Sequence, residues 1–309
     1  KLHLRTAIII AITGMAITLP AVAQDVPATV EPAIAPAPVE PDTAQPEVTA
    51  PLRAQVMLER ASFSPGEIDG EWGSKSRKAV AGFQLSRGLT VSGELDAATW
   101  AELRKDPAPA LVDYTITADD VAGPFAPTPS GMMAKSKLKA IPFQSAAEAL
   151  GEMFHASPKL LAALNPGVPL DVAGGSIRVP NVRDIAAMPT AAKIEVDKSD
   201  AALRLLDASG KAYAQFPITS GTAKFPLPIG DWTIESMTAD PWYNYDPALI
   251  VTARKGDRKA KLPPGPNGPV GTMWMALSKP HYGIHGTPEP GLIGRTPSSR
   301  CVRLPHWSA

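Results

Sequence analysis

Tyr282-Gly283-Ile284-His285-Gly286-Thr287, followed by Ser298-Ser299-Arg300-Cys301-Val302-Arg303-Leu304, is the stretch against which the rest of the 309-residue chain is read. Cys301 is the only cysteine. In an exported protein a lone cysteine cannot form an internal disulfide, so its presence points to nucleophilic chemistry. A thiolate needs a base and donors for the oxyanion that it creates. His285 and the Gly286-Thr287 turn lie close enough in sequence for one hairpin-like excursion to deliver both. The pattern is that of a Cys/His hydrolase or acyltransferase.

Export itself is read at the other end. Lys1 and Arg5 precede an apolar run from Ala7 to Leu19, and Ala21-Val22-Ala23 offers small residues for cleavage before Gln24. Residues 1–23 are therefore expected to be a signal peptide, and the run is too short for a spanning helix, so no stable membrane insertion follows cleavage. The expected location is the periplasm, in association with the cell wall. Residues 24–50 are Pro/Ala-rich with almost no aromatic side chains, a disordered, extended linker. Thirty basic residues balance thirty acidic ones, so nothing points to nucleic acid as a partner.

Three further regions follow, which makes the chain multidomain. Over 51–105, Leu52 and Val56 mark an amphipathic helix, Ser64-Pro65-Gly66 and Asp69-Gly70 mark turns, and helices are expected over Ser74–Arg87 and Asp96–Leu103. That is a small three-helix domain, with Asp69 a turn residue and Trp72 a core residue. Over 111–182 a strand (Val112–Thr117), two helices (Ser145–Phe154 and Ser157–Leu164) and a strand (Ile177–Pro180) predict an α+β unit, with His155 structural. Over 191–309 short alternating segments at Lys193–Val196, Leu203–Leu206, Ala212–Ile218 and Trp232–Glu235 predict a mainly antiparallel β domain. His281 and His285, four apart, would share a face of a strand and with Cys301 could form a zinc site, but no fourth ligand is evident. His306, close to the terminus, is expected to be solvated.

His285-Gly286-Thr287 and Cys301-Val302-Arg303-Leu304 resemble the catalytic segment of the YkuD-type L,D-transpeptidases, H-G-T followed by S-H-G-C-[IV]-R-[LM]. Ser299 stands where that pattern has histidine and Arg300 where it has glycine. The resemblance extends to Thr219-Ser220-Gly221, Pro226–Ile234 and Leu262–Thr272. Gly66–Gly73, Ala79–Gln84 and Gly88–Gly93 resemble the peptidoglycan-binding module of cell-wall enzymes. Ala146–Phe154, Leu160–Pro166 and Gly175–Pro180 resemble a LysM glycan-binding module.

The resemblance implies Cys301 as nucleophile and His285 as base and then acid, with oxyanion donors from backbone N–H groups around Arg300 to Val302. It places Gly286, Thr287, Ser298, Ser299, Arg300, Val302 and Arg303 around the oxyanion and substrate. It implies no metal and no cofactor. The substrate would be a peptidoglycan tetrapeptide stem, acylating Cys301 through its third residue, with the amine of a second stem or of an outer-membrane protein as acceptor. Peptidoglycan stem peptides and glycan are thus the expected partners. Two other readings compete: a wall-binding protein weakened catalytically by Ser299 and Arg300, and a Cys/His peptidoglycan hydrolase.

Overall fold

The computed structural model describes residues 48–221, 226–227, 229–250, 253–295 and 301–309. The expected signal peptide, nearly all of the linker, and Ser298, Ser299 and Arg300 lie outside the described residues.

The chain opens on helix α1 (Ala50–Arg60), capped by Thr49, whose hydroxyl accepts from the Leu52 N–H, with Pro51 in the first turn. Helix α2 (Ser74–Arg87) stops at Gly88, whose φ of 68° is the left-handed conformation that glycine adopts at little cost. Helix α3 (Ala97–Leu103) is capped by Asp96, which accepts from the Thr99 N–H at 2.7 Å. Helix α1 buries nearly its whole circumference. One side (Met57, Leu58) packs with Val80, Phe83 and Leu103 of α2 and α3, and the other (Leu52, Val56) packs with Ile68 and the region beyond residue 110. A helix apolar on both sides lies between two cores.

That next region contains β1 (Leu111–Thr115), α4 (Ala118–Ala122), α5 (Met132–Lys135), α6 (Ala146–Met153), α7 (Pro158–Leu164) and β2 (Ser176–Pro180). Strands β1 and β2 pair antiparallel, and Leu150, Phe154 and Leu161 pack against Ile177 and Val179. Asn165 ties α7 to β2, its side chain donating to the Arg178 carbonyl and accepting from the Arg178 N–H.

The carboxy-terminal region holds β3 (Lys193–Asp197), β4 (Ala202–Leu206), β5 (Ala212–Pro217), β6 (Ile234–Ala239), β7 (Tyr243–Tyr245), β8 (Ala260–Leu262), β9 (Met273–Leu277), β10 (Gly283–Thr287) and β11 (Val302–Pro305). The strand expected over Trp232–Glu235 starts at Ile234. One sheet has the order β3-β4-β5 and another the order β11-β10-β9-β6, with β7-β8 a separate ribbon. Leu203, Ala214 and Phe216 of the first sheet meet Ile284, Val302 and Leu304 of the second in one core. Pairing is antiparallel apart from β10 and β11, which run parallel, so the two halves of the opening motif are not a hairpin. A parallel pair needs a crossover connection, and residues 288–301 supply it.

Thr219, just past β5, closes the sandwich. Its N–H donates to the Arg303 carbonyl and its carbonyl accepts from the Arg303 N–H, at 3.0 and 2.8 Å, which covers the open edge of β11.

Gln215 of β5 joins this region to the helices. Its backbone exchanges hydrogen bonds with Ser62 and Ser64, its side-chain amide donates to the Lys78 carbonyl at 2.9 Å, and its side-chain oxygen accepts from Arg204 Nε at 2.9 Å. Gln215 is 4% exposed and all its polar groups are occupied.

Candidate active site

Alternation along β10 and β11 sorts the motif onto two faces. Ile284, Val302 and Leu304 point into the core between the sheets. His285 and Arg303, paired in register, therefore take the opposite face, as does Cys301 one step before β11. His285 is also in register with Trp274 of β9, and Trp274 with Thr238 of β6, so Arg303, His285, Trp274 and Thr238 form a row across the sheet. Cys301 stands diagonally from His285 on the neighbouring strand.

His285 is 5% exposed. Its Nδ1 lies 2.7 Å from the Gly286 carbonyl oxygen, and a carbonyl only accepts, so Nδ1 carries the proton and Nε2 keeps a lone pair. Trp274 stacks on the ring at 5.6 Å between centroids. Burial pushes the imidazole down to about 4, more than the Gly286 hydrogen bond restores, with the Arg303 and His306 charges acting in the same direction as burial. At neutral pH the ring is an uncharged proton acceptor.

Cys301 is half-buried. Two neighbours lie within its electrostatic reach. Tyr243 is pushed up to about 12, by burial first and then by Cys301, and burial lowers Arg303 while Cys301 and Glu289 oppose that shift. The sulfur thus sits near a buried guanidinium and a phenol. Such a face, with a polarisable nucleophile, an uncharged imidazole and a fixed cation, can take a proton from a thiol and steady the anion that forms.

Gly286 and Thr287 are buried: the Gly286 carbonyl serves His285, and the Thr287 hydroxyl accepts from the Glu289 N–H. The Val302 side chain belongs to the core, leaving only its backbone for a substrate. Two expectations are corrected. His281 is exposed in the turn before β10 with φ of 69°, so it shares no strand face with buried His285. His306 is not solvated: its side chain is 7% exposed, its Nδ1 pairs with Glu152 at 3.1 Å, and its ring lies where a Cβ on Gly271 or Gly286 would collide with it. Trp274, Tyr243 and His306 were missed from sequence because strand registers and the packing of the terminal turn bring them in, and no local motif marks those.

Residues 191–309 match the family model of the L,D-transpeptidase catalytic domain, YkuD, and residues 50–103 match that of a candidate peptidoglycan binding domain. A Bacillus licheniformis protein named as a candidate L,D-transpeptidase YkuD is 29% identical over 51% of this chain and 79% of its own. Its Bacillus subtilis counterpart is 28% identical over 49% and 71%. Among solved structures, a mutant of the Enterococcus faecium L,D-transpeptidase aligns at 22% identity and a TM-score of 0.26, over 36% of this chain and 40% of that one. This chain therefore spans less than half of that solved chain. It carries an L,D-transpeptidase catalytic domain and a peptidoglycan-binding domain.

Proposed function

We propose that the protein is a peptidoglycan L,D-transpeptidase in which Cys301 is the nucleophile and His285 the general base and acid. The observation that carries this is the shared face of β10 and β11, with the neutral Nε2 of His285 beside the strand that directly follows Cys301. The Cys301 thiol gives its proton to Nε2 and its sulfur attacks the carbonyl of the third stem residue. The C–N bond breaks, the leaving D-alanine amine takes the proton from His285, and a thioester remains. An acceptor amine then attacks the thioester, passing a proton through His285 back to the departing sulfur. The acceptor is a second stem or an outer-membrane protein. The N–H groups around Arg300 to Val302 hold the oxyanion and Arg303 steadies charge beside it, as the family resemblance implies.

Residues 111–182 are read as a LysM-like glycan-binding unit, on the β-α-α-β order of β1, α6, α7 and β2, with the unexpected α4 and α5 inserted after β1. The protein is exported by residues 1–23 and works at the wall in the periplasm. Among the described residues no helix is long and apolar enough to cross a membrane.

Cys301→Ala is expected to abolish acylation, read by intact mass after exposure to a carbapenem, and to abolish cross-linked product from disaccharide-tetrapeptide. An adduct that persists without Cys301 refutes the assignment. Arg300 occupies the place where the family pattern has glycine, and a strained non-glycine residue costs roughly 1–3 kcal/mol, about 5- to 150-fold in rate. Arg300→Gly is thus expected to speed acylation at least about fivefold. Equal or slower stopped-flow rates would show that the arginine is accommodated.

A further inference from the structure

Between the peptidoglycan-binding domain and the catalytic domain lies a cavity of about 180 Å³, walled by Trp72, Lys75 and Glu67 on one side and by Asp200, Pro217 and Arg295 on the other. Its charges are unusual for an interface within one chain. Glu67 and Lys75 are both half-buried and Arg295 is exposed, and no ion pair within 4 Å joins Glu67 to either cation. Among the described residues neither side chain, nor that of Arg295, has a hydrogen-bonding or ion-pair partner.

Burial raises the Glu67 carboxyl and lowers the Lys75 ammonium, each shift only partly offset by the other residue's charge. Glu67 and Lys75 are thus partly withdrawn from water without a close partner, a cost that a ligand of complementary charge would offset. By contrast, Lys78 on the same wall donates to the Asp200 carbonyl at 2.7 Å, and Asp69 accepts from Gln55 and from the Glu71 N–H. Glu71 pairs with Lys159 and Asp200 with Arg204, which leaves one anion, Glu67, and two cations, Lys75 and Arg295, around one space.

Glu67 also connects this space with the site. It presses on Gly291, where a Cβ would come 2.7 Å from its carboxylate oxygen, and Gly291 lies in the crossover between His285 and Cys301. The Thr219 hydroxyl pins the same crossover by accepting from the Gly294 N–H at 2.7 Å.

We propose that this cavity is a second peptide site, apart from the reacting one, which takes a carbon bearing both ammonium and carboxylate. The carboxylate lies between Lys75 and Arg295, the ammonium meets Glu67, and Trp72 packs against the adjoining carbons. The volume fits the end of a peptide rather than a glycan strand. The choice of a stem peptide as ligand rests on the transpeptidase reading; the existence of a zwitterion site does not.

The test is calorimetric titration of the full chain with a tetrapeptide stem that carries an unlinked diaminopimelate centre, after the reacting site has been filled by carbapenem acylation. Binding to the acylated protein is expected, weakened about tenfold or more by Lys75→Met and by Glu67→Gln and kept by Lys75→Arg. N-acetylation of the peptide should remove the effect of Glu67→Gln and leave that of Lys75→Met. Thermal unfolding of each variant checks that it is folded. Acylated protein that binds no peptide, or variants that bind like the parent, would overturn the site. Should acylation itself fail, the transpeptidase reading is at fault, and the same variant series on the unmodified protein still decides for or against the cavity.

Discussion

His285 shows how one buried ring can link folding to acidity. Its folded value of about 4 lies below the ordinary 6.5, so between those values the unfolded chain binds the proton more readily than the native one. The stability that the neutral ring allows is present above about pH 6.5, falls as pH drops, and is lost by about pH 4, roughly 3 kcal/mol in all. Denaturant unfolding of the parent and of His285→Gln, compared at pH 7 and pH 4, should show a steeper loss in the parent by about that amount. Parallel curves would mean that the ring is not held neutral. The pairing of histidine with cysteine was legible from residue types alone. The tautomer was not, because it depends on the Gly286 carbonyl folding back to Nδ1, and neither was Trp274, which only strand register sets beside the ring.

Among the elements, helices α1, α2, α3, α6 and α7 were legible, whereas the short α4 and α5 were not expected. Thr49, Asp96, Ser145 and Ser157 each accept from an N–H in the first turn of the helix they precede, and local hydrogen bonds of that kind are written in sequence. The parallel pairing of β10 and β11 was not, since the residues between them are compatible with a long hairpin or a crossover, and sheet partners are chosen by packing at a distance. Strand β5 carries the consequence that matters most for the assembly. Replacing Gln215 by Leu would leave the Lys78 carbonyl and Arg204 Nε without their present partner in a half-buried setting. A loss of about 2–6 kcal/mol is expected in chemical denaturation, from two deserted groups at about 1–3 kcal/mol each. A change below about 1 kcal/mol would show that water replaces the side chain without cost.

At the scale of the whole molecule, the cores do not follow the boundaries suggested by sequence motifs. Helix α1 serves two cores at once, so a fragment limited to residues 50–103 would expose Leu52, Val56 and Ile68. At about 1.5–3 kcal/mol for each large apolar side chain, that approaches the whole stability of so small a unit. Residues 48–182 keep both cores. The longer fragment is expected to unfold cooperatively by circular dichroism and the shorter one to lack a cooperative transition; a sharp transition in the shorter would refute the shared-core account. The motifs could not reveal this, because each carries its own local pattern while the contacts between them are made by residues such as Gln215 that no motif singles out. The Gln215 junction also has a mechanical consequence. Cell walls are under tension, and a domain gripping such a wall would pass a pull through residues 62–64 directly into β5. Four positions along lies Thr219, hydrogen-bonded to the backbone of Arg303. Strand β11, which directly follows Cys301, therefore stands at the end of a short load path.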